Sequence, residues 1–212
     1  MAVTPSNDLL LAHGPRVQQI NGSSGQVTDS VYSVEPLRIT SVHVTSDFKV
    51  KVGAKGSYRV EVIRMNKEGK HEKTYEHDRN KQPIFTYVKY ITTTTNGSIF
   101  VVDRLTKDKR RVVVLGHDGD VINIYKGHPK SNSDAKPFKP RRVVTTPFCN
   151  IIVSDQDLHT LHILNSVGEV ITYFDTKKHW DTVSILSQFR RLRSVVHRMY
   201  STSRQYRQGQ VI

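Results

Sequence analysis

"YITTTTNGSIFVVD" (Tyr90–Asp103) and "RVVTTPFCNIIVSD" (Arg142–Asp155) align without a gap at an offset of 52 residues. Each reads as a Val/Ile/Thr-rich strand, a small turn, and a second strand that ends in Asp. "RRVVVLGHDGDVINIYKG" (from Arg110) and "LHILNSVGEVITYFD" (from Leu161) then give a strand, a hairpin centred on Gly119 or Gly168, and a strand. The same frame fits "RITSVHVTSDFKVKVG" followed by "RVEVIRMNKEGKHEKTYEHD", with Gly69 at the hairpin. A frayed copy, "AVTPSNDLLLAHG" then "PRVQQINGSSGQVTDSVYS", opens the chain.

A four-stranded meander repeating at roughly 40–50 residues is the pattern of a β-propeller blade. One such sheet cannot bury both of its faces, so stacking against like sheets supplies the core. The expected fold is all-β, a partial propeller of about four four-stranded blades spanning 2–34, 36–82, 83–133 and 138–178. A β-sandwich with chance internal similarity is the alternative. Composition agrees with a packed domain, at 36% hydrophobic and 24% charged residues. No apolar run approaches the ~20 residues of a membrane span, so no membrane role is expected. Cys149 is the only cysteine. That excludes an internal disulfide and Cys-based zinc sites, and a cytoplasmic location is expected.

The two quoted pairs resemble the NHL-repeat region of tripartite-motif proteins, most closely the divergent invertebrate and molluscan set. The likeness covers residues 2 to about 178 and is strongest over Tyr87–Phe174. It implies a binding domain that recruits a protein partner or ubiquitination substrate. In that family a RING finger, B-boxes and a coiled coil normally precede a six-bladed propeller. This chain departs twice: it has no Cys/His clusters or heptads, and it has about four blades. Ligase activity would therefore require a RING that this sequence does not contain. Some propellers of the family bind single-stranded or hairpin RNA through a positive face.

After "VITYFDTKK" the strand–turn rhythm stops. Residues 179–212 hold six Arg, no Lys and one Asp, and Ser184–Met199 reads as a short basic helix or an irregular tail. Codons chosen for Trp180 onward read, after a one-base shift, "GIQYPYSLSFDDSGLLYIG", which has the turn and strand of a further blade. The tail is expected to be an out-of-frame segment, so its charge carries no functional weight. The chain is then a fragment of a longer propeller.

No catalytic set can be assembled. His159 and His162 lie three apart on a predicted strand and would face opposite ways, so they cannot share a metal. Asp103 and Asp155 close their strands and are expected to accept N–H bonds from the following turn. Gly116, Gly119 and Gly127 punctuate hairpins rather than cradle a phosphate, so no cofactor is expected. A hydrolase or lyase propeller is the remotest reading.

Charge is more informative. The net charge is +13. In a meander, the b–c and d–a loops emerge at one end of every blade and the a–b and c–d loops at the other. Arg104, Lys107, Lys109, Arg110 and Arg111 oppose one aspartate in the third b–c loop. Lys126, Lys130, Lys136, Lys139, Arg141 and Arg142 oppose one aspartate in the next connection. The opposite face is net negative. One face is thus expected to attract phosphate backbones or acidic protein surfaces, with strong salt dependence. Phe138, Tyr87 and Phe85 lie beside these loops as candidate base-stacking rings, with Phe138 equally suited to anchor a blade. Two unpaired propeller edges would also favour self-association.

Overall fold

Among the described residues, sixteen strands follow from the repeating pattern of β-branched runs and tight turns. The structure is a computed structural model and describes residues 1–130, 132–133 and 136–176. The tail from residue 179, with the expectations of a basic helix and of a shifted frame, lies outside the described residues. The first sheet comprises β1 (Ala2–Val3), β2 (Leu9–His13), β3 (Arg16–Ile20) and β4 (Val27–Ser33). The second comprises β5 (Arg38–Val44), β6 (Val50–Lys55), β7 (Val60–Met65) and β8 (His71–Tyr75). The third comprises β9 (Val88–Thr93), β10 (Ile99–Arg104), β11 (Arg110–Leu115) and β12 (Val121–Tyr125). The fourth comprises β13 (Pro140–Thr145), β14 (Ile151–Asp155), β15 (Thr160–Leu164) and β16 (Val170–Asp175). Each sheet is an antiparallel meander in chain order, and no helix occurs among the described residues.

The first turn of every sheet is one device used four times. The N–H groups of Asn7, Phe48, Gly97 and Cys149 donate to the carbonyls of Thr4, Thr45, Thr94 and Thr146 at 2.9, 3.1, 3.0 and 3.0 Å. All four donors are left-handed, with φ of 66°, 59°, 89° and 60°. Glycine adopts this conformation freely, whereas a side chain costs roughly 1–2 kcal/mol there. The threonine hydroxyl offsets part of that cost. It accepts from Lys49 N at 3.0 Å in the second sheet and from Asn150 N at 3.1 Å in the fourth. The frayed first copy uses the same bond, Asp8 N to Thr4 Oγ1 at 3.0 Å.

Packing divides each central strand between two neighbours. In β10, Ile99 and Val101 pack toward the second sheet, while Phe100 and Val102 pack toward the fourth. β11 does the same, with Val113 and Leu115 on one side and Val112 and Val114 on the other. That is why "IFVV" and "VVVL" are unbroken apolar runs instead of alternating ones. A third cluster joins the first and second sheets around Leu10, Val17, Val52 and Met65. Gly53 marks a close approach of the second and third sheets, since a Cβ there would meet Val88 Cγ1 at 2.4 Å.

The strands β1, β5, β9 and β13 run side by side along one margin of the stack. In the last three the register slips by one residue, leaving Thr40, Lys89 and Arg141 outside the pairing. Such bulges re-aim side chains at a rim.

Candidate functional site

The b–c and d–a loops bring a cationic rim together around the third sheet. The Arg104 guanidinium lies 4.1 Å over the Tyr87 ring, with Lys55 Nζ 5.4 Å from the same ring. Arg142 lies 4.5 Å over Tyr90. A cavity of about 460 Å3 is walled by Lys55, Tyr87, Arg104, Lys107 and Arg110. Burial, then the fields of Arg110, Arg104, Arg141 and Arg142, push the Lys89 amine below its usual range. Burial and then Arg141 do the same to Arg110. Mutual repulsion of this kind shows how closely the cations crowd. Among the described residues, none of Lys55, Lys89, Arg104, Arg110 and Arg142 makes an ion pair with a carboxylate.

Other predicted cations are already engaged. Arg111 Nε donates to Asp103 at 2.9 Å and its Nη2 to the Ile84 carbonyl at 2.8 Å, so it braces the sheet. Lys139 pairs with Asp108 at 2.9 Å and Asp157 at 3.6 Å, and Arg141 with Asp157 at 3.1 Å. Lys107, Lys109, Lys126, Lys130 and Lys136 are exposed and make no ion pair among the described residues.

Two of the three candidate stacking rings must be corrected. Phe138 and Phe85 are 3% and 4% exposed and belong to the packing between sheets. Phe138 meets Tyr125 edge-on at 5.3 Å and His162 at 5.1 Å. Neither phenylalanine can present a face to a base. Tyr87 stays at the rim, with a guanidinium on its ring.

The strand-closing aspartates are structural, though not by the expected turn alone. Asp155 accepts from Asp157 N and Leu158 N, both at 3.1 Å, and from Lys139 N at 2.7 Å on the preceding connection. Asp103 looks backward only, accepting Thr86 N at 2.9 Å and Tyr87 N at 2.8 Å besides Arg111. Both carboxylates are fully buried. His159 sits in the turn before β15 with φ of 54°, not on the strand as predicted. His162 is buried on β15, its Nδ1 2.8 Å from Tyr125 Oη and its Nε2 2.9 Å from Thr160 Oγ1. No group of three His, Cys, Asp or Glu side chains is placed to hold a metal among the described residues.

The opposite end holds a feature that loop charges do not reveal. A cavity of about 790 Å3 opens among the inner strands of the second, third and fourth sheets. Lys51, on β6, lines it and is only 6% exposed. Burial first, then the Arg64 charge, bring the Lys51 pKa down to about 8. His43 lies alongside, its Nε2 2.9 Å from Thr93 Oγ1, with its pKa lowered to about 4 by burial and then by Lys51. It is therefore neutral near pH 7.

Four stacked antiparallel meanders with adjacent first strands define a partial β-propeller. Solved structures agree. A Bacteroides caccae protein of unknown function matches with a TM-score of 0.59 and 14% identity over 86% of this chain and 62% of its own. Virginiamycin B lyase from Staphylococcus aureus matches at 0.54 and 14%, over 82% and 53%. A nidogen/laminin complex matches at 0.53 and 16%, over 78% and 61%. At such identities the likeness is one of fold. The chain spans between about half and two thirds of the length of these propellers. No protein-family model and no curated protein sequence matches it.

Proposed function

We propose that this chain is a non-catalytic binding module whose basic rim holds RNA. The observation that carries this reading is the cluster of Lys55, Lys89, Arg104, Arg110 and Arg142, crowded on one rim without carboxylate partners among the described residues. Keeping like charges together costs energy unless an anion relieves it, and a phosphodiester backbone supplies anions at matching intervals. The guanidiniums over Tyr87 and Tyr90 also present flat cationic surfaces on which unpaired bases can stack. The family resemblance points the same way for some members, and to recruitment of a protein partner for others.

The test is filter retention of single-stranded and hairpin RNA across a salt series. The triple variant K89A/R104A/R142A should weaken retention by one to two orders of magnitude. It should also flatten the log–log salt slope by about two, near 0.7 per cation removed from a single-strand site. Arg111 is left intact because it braces Asp103. Absence of retention at about 50 mM salt ends the RNA reading. Retention of polyglutamate under those conditions would instead favour an acidic protein partner.

A further inference from the structure

The cavity among the inner strands lies at the end opposite the rim, where the a–b and c–d turns emerge. Its wall carries Lys51, Arg64 and Lys49, with Asp47 as the one carboxylate. Both nearby carboxylates are already shared. Glu72 takes Arg64 at 3.0 Å and Lys49 at 3.8 Å, and Asp47 takes Lys49 at 3.9 Å. The Lys51 ammonium makes neither a hydrogen bond nor an ion pair among the described residues, although the residue is more than nine-tenths buried. Across the cavity, the exposed Asn96 side chain accepts from Thr94 Oγ1 and from Ser98 N through its amide oxygen, so its NH2 is the group those bonds do not engage. His43 and Thr93 satisfy one another. What remains unmet in this pocket is donor capacity and positive charge.

A largely buried ammonium whose counter-charges, Asp47 and Glu72, are shared with other cations is costly, and an anion is the group that removes the cost. The geometry points to a binding site for a small oxyanion, a phosphate or phosphate-bearing metabolite, held by Lys51 Nζ and the Asn96 amide between the second and third sheets. The volume accommodates more than the anion itself, so the remainder of such a molecule has room beside it. This site is separate from the RNA rim and does not depend on it.

The experiment is calorimetric titration of the full chain with inorganic phosphate at pH 7. One saturable site per chain is expected, weakened at least about tenfold in Lys51→Met and unchanged in K89A/R104A/R142A. Amide chemical shifts of the unmutated protein give a second readout that needs no variant. Phosphate should move the signals of Lys51 and Thr93–Gly97 and leave those of residues 104–111 in place. No saturable binding, undiminished binding by Lys51→Met, or shifts confined to the rim would each overturn the assignment.

Discussion

His162 carries no net charge in the fold, and that makes the protein acid-sensitive. Burial, then His128, lower its pKa to about 4, and His43 is lowered to about 4 as well. In the unfolded chain both return to about 6.5. Between those values the unfolded state binds more protons than the native one, so stability is fully present above about pH 6.5 and is lost as pH falls toward 4. His162 alone accounts for roughly 2–3 kcal/mol of that loss. The urea midpoint should fall across this window, and His162→Gln should fall less steeply. Little of this was legible beforehand. A histidine on a strand declares neither its depth nor its partners, and the Tyr125 hydroxyl that meets His162 is 37 residues away. The aspartates were legible as strand-closing acceptors, but the backward reach of Asp103 to Thr86 and Tyr87 depends on how the previous connection returns.

At the scale of elements, Asp103 ties together the start of β9, the end of β10 and Arg111 on β11. Asp103→Ala would strand two part-buried N–H groups and a guanidinium that is largely covered. The expected cost is about 3–5 kcal/mol, measured as the change in unfolding free energy in urea. Strands and turns were readable because the repeat states them several times over. The rim and the cavity were readable only in part. Counting charges in loops located Arg104, Arg110 and Arg142 but passed over Lys51, Lys89 and Tyr90, which belong to strands. "KVKVG" alternates like a half-exposed strand, and alternation identifies two faces without saying that another blade will cover one. The offset of 52 that pairs Lys89 with Arg141 and Tyr90 with Arg142 was the available signal for the inner strands. The burial of Phe85 and Phe138 had no such signal, since a phenylalanine beside a loop reads equally as anchor or platform.

For the whole molecule, stability is a property of contacts between sheets. Three apolar clusters join four sheets, and the third sheet is packed on both faces. Among the described residues, the first sheet has a neighbour on one side only. Leu9, Ile20 and Val27 are paired across it on the face turned from the second sheet, and Val27 is 55% exposed. We expect this face to drive self-association, seen as a weight-average mass that rises with concentration in sedimentation equilibrium. Ile20→Lys with Val27→Lys should return the mass toward that of one chain. The propeller class was legible from the repeat, because stacking is the way such meanders acquire a core. The bulges have a different consequence. Sibling blades hold a hydroxyl at Thr40, an amine at Lys89 and a guanidinium at Arg141, each directly after an apolar residue, Ile39, Val88 or Pro140. A residue excused from the ladder can be exchanged without disturbing its neighbours' pairing. Each blade therefore offers evolution, or an engineer, one adjustable position, and the electrical character of the rim can be rewritten while the scaffold is inherited intact.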